Sequence, residues 1–319
     1  MWKLIIKRVL LMIPQLLLMT LLVFWLAKFM PGDPFTGKFS PQLDLNQLRE
    51  MRKAAGLDDP WYVQYVRWIG NVFHGNFGES FVMKKDVTTL IGQRIGNTVM
   101  LSIFGLILTY LIGIPMAVAA AKKEGKFIDN FFLTFTSITF GIPAVIVYLF
   151  LIFMFGYMLH WFPTTGSVSL SAEGPIQIFL SRIYHVILPA TAYALLGTVG
   201  IFNYLRVGLL DTRNLDFIKT ARAKGVSEKA IFWKHNFRNS VLPLAQGFGY
   251  QIVSIFGGAV ILETIFNFPG MGQLFTNSVT TNDSAVITTL ILFSGFLSLV
   301  GAMLSDLILA WVDPRVRIS

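Results

Sequence analysis

The stretch TVMLSIFGLILTYLIGIPMAVAAA at 98–121 contains no charged residue and is long enough to cross a lipid bilayer as one helix, since about 20 apolar residues suffice. The whole chain of 319 residues is 54% hydrophobic and only 13% charged. A soluble domain carries about 25% charged residues, so this chain cannot cover its surface with polar groups. Because helices satisfy their own backbone hydrogen bonds in lipid, the composition predicts an all-α integral membrane protein.

Five further apolar runs flank this stretch and give six predicted transmembrane helices in total. The runs lie at 9–29, 98–121, 131–159, 186–205, 248–266 and 286–312. The first run follows basic residues, as a signal peptide would, but it exceeds the usual 7–15 apolar residues of such a peptide. We therefore expect an uncleaved first helix. Proline and glycine in the fourth and fifth runs predict that these two lie inside the bundle.

The placement of lysine and arginine predicts the orientation. Basic residues concentrate in the segments that a cytoplasmic N-terminus would place inside, whereas the short outer loops 160–185 and 267–285 contain only Arg182. By the positive-inside rule, both termini are expected in the cytoplasm. The basic residues behind the net charge of +9 are thus placed as the positive-inside rule predicts for a membrane protein. We therefore expect membrane lipid rather than nucleic acid as a partner. The absence of cysteine excludes disulfides.

Three regions follow from this topology. Residues 1–29 form the N-terminal tail and first helix, 30–97 a large first extracytoplasmic segment with short helices, and 98–319 a five-helix core. In the outer segment, the sequence predicts a turn at 31–34 and an amphipathic helix at 45–55, followed by aromatic residues. This segment either lies on the outer membrane surface or docks an outside partner.

A cytoplasmic elbow is predicted within 206–247, a segment too long for a plain connection. A short helix at 216–224 would stop at Gly225, Ser227 would cap a second helix at 228–240, and Pro243 would end the unit. The candidate contact residues at its tip are Thr220, Ala221, Arg222, Ala223, Lys224, Gly225, Val226 and Ser227. Small residues allow another backbone to approach closely; the alternative is a basic surface that rests on anionic lipid.

Few residues inside the spans carry polar chemistry. Gly141 and Pro143 are expected to kink the third span and to shape a translocation pathway, and Glu263 either forms structural hydrogen bonds or contacts a substrate amine. We expect Arg206 to anchor to lipid headgroups. No metal-spaced histidine pair and no G-x-x-x-x-G-K-[ST] phosphate loop occurs, so we expect no catalytic, metal or cofactor site and no ATP hydrolysis by this chain.

The elbow resembles the signature of ABC-importer permeases, with Thr220-Ala221 separated from Gly225 by three residues and with Leu242-Pro243 further on. Thr220 stands where the general pattern has glutamate, as in the peptide-importing branch. The resemblance extends over essentially the whole chain. Its motifs are P-G-D-P at 31–34, A-G-L-D-D-P at 55–60, Q-Y-V-R-W-I-G at 64–70, G-N-F-G-E-S at 75–80, G-I-P at 113–115, T-A-R-A-K-G-V-S at 220–227 and E-T-I-F-N-F-P-G-M-G-Q-L at 263–274. Together they resemble the oligopeptide/dipeptide family, specifically the first of its two paired permeases.

This resemblance implies a type I importer fold in the bacterial cytoplasmic membrane and a division of labour. A second homologous permease would complete the pathway, two cytoplasmic ATPase subunits would use ATP and Mg, and an extracytoplasmic peptide-binding protein would deliver oligopeptides. The elbow would be the coupling helix. Dipeptides, nickel chelates or another small solute remain alternative cargoes. An ATP-independent secondary transporter and a scaffold without a pathway remain alternative classes, and only the importer requires a protein partner at the elbow.

Overall fold

The computed structural model describes residues 2–29, 58–80 and 82–312, and these residues are almost entirely helical. Beyond one isolated antiparallel bridge between Glu79 and Asp86, the described ranges contain no β-structure. The helices are α1 Trp2–Phe29, α2 Trp61–Phe73, α3 Val87–Lys122, α4 Phe127–Gly141, α5 Ala144–Leu151 with a π-helical continuation Ile152–Met158, α6 Gly174–Arg213, α7 Asp216–Ala223, α8 (Glu228–Ala230, the π-helical Ile231–Phe237, and Arg238–Ser240), α9 Leu242–Gly257, α10 Val260–Ile265, α11 Met271–Thr280 and α12 Ser284–Val312. The predicted turn at 31–34 and helix at 45–55 lie outside the described residues.

Five helical stretches are long and apolar enough to cross a membrane, and a sixth span results if the bent pair α4–α5 is counted as one. This agrees with the all-α, multi-span architecture predicted from composition. Two helices extend well beyond their apolar runs: α3 begins at Val87, and α6 runs for 40 residues from Gly174 to Arg213. Polar turns at the helix ends continue the backbone hydrogen bonding, although they add nothing to the apolar signal.

The α3–α6 pair forms the centre of the molecule, and small residues set its spacing. A side chain at Gly105 would meet the Tyr193 ring at 2.6 Å, and one at Gly197 would meet Thr109 Oγ1 at 2.8 Å. Small residues let membrane helices approach closely and gain dispersion contacts. Leu101 and Phe202, both fully buried, belong to the apolar clusters on either half of this pair.

The kink expected in the third span is present, and it is a full break between two helices. Helix α4 ends at Gly141, and α5 leaves the break at an angle of 102°. Pro143 precedes α5 with an extended backbone, φ −55° and ψ 136°. Proline lacks an N–H group and disfavours helical geometry in the residue before it, so Ile142 is extended and the helix cannot pass through.

The expectation that the fourth and fifth spans both lie inside is right only for the fourth. In the apolar window of α6, 61% of the residues are buried, against 22% in the fifth span at Gly247–Ile265. The glycines of the fifth span serve local close packing instead. A side chain at Gly249 would meet the Ser305 backbone nitrogen at 2.2 Å, which fixes α9 tightly against α12.

Helix α1 lies at the edge of the bundle and packs on α12. Arg8 and Asp306 join the two helices with an ion pair at 2.5 Å, so Asp306 has a structural role. At the other end of α1, the Tyr65 hydroxyl of α2 lies 2.8 Å from Thr20 Oγ1, and the Phe24 and Tyr65 rings meet edge to face. Aromatic side chains of α2 thus hold this helix against the end of α1.

Candidate functional site

The predicted elbow is present, and Gly225 makes its turn. Helix α7 ends at Ala223, one residue before the predicted end, and Gly225 has φ +75°. The Gly225 N–H donates to the Arg222 carbonyl and the Val226 N–H donates to the Ala221 carbonyl. Glycine adopts this left-handed conformation without the steric cost that a Cβ brings. No atom lies within 4 Å of the position that a Cβ on Gly225 would take.

The elbow has its own small apolar core. Ile218 and Ala221 of α7 pack against Ile231 of α8, with Val226 beside them. Ala221 is therefore an inward-facing residue whose small size lets the two arms close, rather than part of the outer surface. The structure thus divides the predicted tip residues into interior and exterior sets.

Two ion pairs brace the elbow at its surface. Arg222 donates to both carboxylate oxygens of Glu228 at 2.5 and 3.1 Å, which links α7 to α8. This hydrogen bond lowers the pKa of Glu228 below its usual range. Lys219 donates to Asp216 at 2.9 Å within α7 and lowers the pKa of that carboxyl as well. Each of these cations therefore already has an acidic partner within the elbow.

The outward face of the elbow combines apolar and small residues. Leu215 and Phe217 are 50% and 40% exposed. Around them lie the exposed tip residues Thr220, Arg222, Ala223, Lys224, Gly225 and Ser227. The sequence analysis missed Leu215 and Phe217. Helical spacing alone would not have found them, because Leu215 lies three residues before Ile218 and Phe217 lies four residues before Ala221, which is the spacing of residues on one face.

The elbow is fixed firmly to the membrane core. Ser240 Oγ donates to the Gly208 carbonyl at 2.8 Å, and Asn236 donates to the Leu209 carbonyl at 3.1 Å. Both acceptors lie on α6, so the second arm of the elbow and this long helix move together. Ser227 precedes α8 as predicted, but its side chain forms no capping hydrogen bond. Pro243 lies at the start of α9 rather than in the elbow itself.

Arg206 has a different partner from the lipid headgroup that we expected. Its guanidinium binds the Asp129 carboxylate with two hydrogen bonds of 2.6 and 2.7 Å, and Asp129 is only 1% exposed. The Gly125 N–H also donates to Asp129. A two-point contact between guanidinium and carboxylate is among the strongest polar contacts in proteins, and here it joins the start of α4 to α6.

On the opposite side of the bundle, α10 and α11 form a tight hairpin around Glu263, whose carboxylate is fully buried. It accepts hydrogen bonds from Thr98 Oγ1 at 2.9 Å and from the backbone N–H groups of Gly272 and Gln273 at 2.7 and 3.1 Å. The two backbone donors belong to the first turn of α11, whose N–H groups have no partner within the helix. These contacts support the structural interpretation of Glu263 over a substrate contact.

Polar side chains of α3 extend this hairpin network. Arg94 donates to Gln273 Oε1 at 3.0 Å, and Asn97 donates to the Pro269 carbonyl at 2.9 Å. Glycines line the space around the carboxylate: a Cβ on Gly270 would lie 2.3 Å from Glu263 Oε2. The hairpin is therefore held by internal polar contacts, and its glycines allow the chain to pass close to the carboxylate.

The break between α4 and α5 exposes backbone at the middle of an apolar segment. Gly141, Ile142 and Pro143 are all exposed. Backbone polar groups at membrane depth are tolerated only against protein or water, not against lipid. The predicted pathway residues Gly141 and Pro143 lie at this break, and α5, which follows it, packs on α10, the helix that carries Glu263.

Comparisons with known proteins agree with this architecture. A family model described as "Binding-protein-dependent transport system inner membrane component" matches residues 109–318. A second model, described as the N-terminal part of such membrane components, matches residues 1–102. The two models together account for most of the chain.

Named relatives match over nearly their whole length. The oligopeptide transport system permease protein AppB of Bacillus subtilis (strain 168) is 41% identical over 315 residues, which cover 98% of each chain. A probable peptide ABC transporter permease protein, y4tP, of Sinorhizobium fredii is 32% identical over 314 residues, with the same coverage. A putative peptide permease protein of Brucella suis is 34% identical over 315 residues.

A solved structure supports the fold. A chain of the MetNI methionine ABC transporter in an inward-facing conformation matches with a TM-score of 0.54 and 15% identity, covering 71% of this chain and 97% of the other. The predicted importer-permease fold is thereby confirmed. The chain belongs to the family of binding-protein-dependent transport system inner membrane components and is a multi-pass protein of the cytoplasmic membrane.

Proposed function

We propose that this chain is one of two permease subunits of an ATP-driven oligopeptide importer, and that its elbow receives the movement of a cytoplasmic ATPase. The observation that carries the proposal is the outward face of the elbow, where Phe217 and Leu215 stand exposed beside small residues on a firmly attached frame. Exposed aromatic and aliphatic side chains around a flat, small-residue tip are typical of protein contacts.

The frame explains how a contact at the tip reaches the membrane. The turn at Gly225, the Arg222–Glu228 ion pair and the Ser240–Gly208 hydrogen bond connect the tip to α6 without a flexible joint. An ATPase that closes on ATP and Mg would push on Phe217 and tilt α6 with it. The nucleotide and the metal belong to the partner subunits, and this chain acts by binding and by moving.

Peptide cargo is the proposal that the named relatives favour. The pathway is proposed to run beside the α4–α5 break, where the exposed residues Gly141 and Pro143 face either water or the second permease. Backbone groups recognise the peptide unit without reading side chains, which suits a cargo of variable sequence. An extracytoplasmic peptide-binding protein would deliver that cargo.

Uptake of a labelled peptide mixture into liposomes tests the proposal, with the chain co-expressed with its genomic neighbours and reconstituted as a complex. Gly225→Asp places a charged side chain on the tip, where its Cβ meets no neighbouring atom, although the φ of +75° strains any residue other than glycine. Gly75→Asp is the matched control, since Gly75 has the same φ of +75° and equally open space. We expect ATP-dependent uptake to be lost in the first variant and kept in the second.

Three outcomes would decide against parts of the proposal. Equal uptake by both variants would show that the elbow tip does not couple the ATPase to transport. ATPase activity without peptide uptake would retain the importer class and assign another cargo. Peptide uptake that needs no ATP and no ATPase subunit would favour a secondary transporter.

A further inference from the structure

The inner end of α3 and the second arm of the elbow meet in a surface that none of the contacts above uses. Lys122 Nζ lies 4.4 Å from the centroid of the Phe232 ring and 5.1 Å from that of Trp233. The Trp233 ring packs on Phe237 at 5.2 Å, yet its side chain remains 45% exposed. The ammonium group of Lys122 is thus held in place by two aromatic rings.

We call the region around Lys122, Phe232, Trp233 and Phe237 the basic aromatic surface. It carries excess positive charge. Its exposed cations are Lys122, Lys123, Lys126, Lys234 and Arg238. The neighbouring acids are already used, since Glu124 pairs with Arg213 at 2.5 Å and Asp129 pairs with Arg206. Among the described residues, no carboxylate forms an ion pair with any of the five cations. The surface therefore has a positive field that a negatively charged partner would neutralise.

The basic aromatic surface lies where two membrane spans end, and this position indicates which class of partner it binds. Lys122 is the last residue of the span α3 and Phe127 is the first residue of α4, so the loop between them lies where two spans end. Phe127 and Phe131 are 81% and 54% exposed on the adjoining apolar face. Tryptophan and lysine are the residues that favour the boundary between hydrocarbon and water.

We propose that the basic aromatic surface binds the headgroup of an anionic phospholipid of the inner leaflet. Lys123 and Lys126 would contact the phosphate from one side and Lys234 and Arg238 from the other, while the acyl chains follow Phe127 and Phe131. The lipid would bridge the α3–α4 loop and α8. This leaves the elbow tip around Phe217 free for its protein partner, and the two surfaces occupy different faces of one elbow.

Native mass spectrometry of the intact transporter, taken from membranes with equal phosphatidylglycerol and phosphatidylcholine, tests the proposal. A basic residue near an anionic surface contributes about 1 kcal/mol, so Lys123→Gln combined with Lys126→Gln should lower phosphatidylglycerol retention about thirtyfold. Retention of phosphatidylcholine should not change. Lys84→Gln with Lys85→Gln removes the same charge from an exposed loop at the other end of α3 and should have no effect.

Further variants make the result decisive. Lys123→Arg with Lys126→Arg should restore phosphatidylglycerol retention, because the charge is kept. If the first variant does not assemble, Lys234→Gln with Arg238→Gln tests the other side of the same surface. Unchanged phosphatidylglycerol retention in assembled glutamine variants would overturn the proposal. Loss of an ATPase subunit with lipid retention unchanged would also overturn it and assign the surface to that protein.

Discussion

The outer hairpin and the inner elbow are both helix–turn–helix units with a glycine at the turn, but they are stabilised in opposite ways. The hairpin closes around a fully buried carboxylate, Glu263, whose oxygens accept hydrogen bonds from inside the chain. The elbow closes on a small apolar core and keeps its ion pairs at the surface. The hairpin is held by contacts within this chain, whereas the elbow leaves Leu215 and Phe217 exposed, where we propose that another protein binds.

This difference in stabilisation explains why the turn glycines of the hairpin and of the elbow have different structural roles. Glycine beside Glu263 allows close internal packing, since a Cβ on Gly270 would contact the carboxylate. Glycine at 225 has open space around it and supplies only a backbone conformation. A substitution in the hairpin should therefore affect folding first, and a substitution in the elbow should affect assembly and transport first.

The largest expected effect on stability comes from Glu263→Ala. The change leaves three buried donors, Thr98 and the N–H groups of Gly272 and Gln273, without their acceptor. At 1–3 kcal/mol for each buried unsatisfied group, the free energy of unfolding should fall by about 4 kcal/mol. Thermal unfolding in detergent measures this. Glu173→Ala, at an exposed glutamate, is the control and should leave the melting temperature unchanged.

The next largest loss of stability is expected at the ion pair between Asp129 and Arg206, near the elbow. Asp129→Asn removes the buried charge that Arg206 binds and should destabilise the protein by roughly 3 kcal/mol, because the guanidinium, which is only 14% exposed, loses its charged partner. Glu124→Gln breaks the exposed pair with Arg213 and should cost under about 1 kcal/mol. Unfolding curves of both variants provide the test, and equal losses would contradict the distinction between buried and exposed pairs.

On the elbow, Phe217→Ala should weaken binding of the ATPase without unfolding the chain. Loss of an exposed aromatic contact at a protein interface costs about 1–2 kcal/mol, or about tenfold in Kd. Titration of the ATPase against the reconstituted permease pair measures it. Phe73→Ala makes the same change at a phenylalanine that is 82% exposed on α2, and its Kd should equal that of the parent.

The smallest effect concerns the Arg222–Glu228 pair. Because this hydrogen bond lowers the pKa of Glu228, its contribution is present above the unfolded pKa and is lost as the pH falls below about 4. The protection factor of the amides around Gly225, which is the intrinsic exchange rate at a given pH divided by the observed rate, should therefore fall on acidification. In Glu228→Gln, exchange at neutral pH should already be faster, with less further change in acid. Equal acid sensitivity in both proteins would show that the Arg222–Glu228 pair does not stabilise the turn.

Local sequence signals were sufficient for the main architecture. Apolar length predicted the membrane helices, Gly225 predicted the turn of the elbow, and Pro143 predicted a kink in the third span. The size of that kink, 102°, was not predictable from one proline, because it depends on what the second segment packs against. Helix ends were also missed, since the polar turns of α3 and α6 lack an apolar signal.

Long-range polar partners were beyond the reach of the sequence. Arg206 was assigned to lipid headgroups because Asp129 lies 77 positions away and no local periodicity connects them. The partner of Glu263, Thr98, is separated from it by 165 positions. The pairing of Arg206 with Asp129 and of Glu263 with Thr98 depends on how α3, α4 and α6 pack together. This packing cannot be read from a single sequence.

Cysteine cross-linking tests the central claim most directly, and the chain contains no native cysteine to interfere. Ala223→Cys would place one thiol on the outward face of the elbow tip, and Asn282→Cys would place one on an exposed outer turn. In the assembled transporter, a short photoreactive cross-linker attached to the introduced thiol should join Ala223→Cys to the ATPase subunit and leave Asn282→Cys unlinked. The yield should change when ATP is added. No product with Ala223→Cys in an active complex would contradict the proposed docking of the ATPase at the elbow.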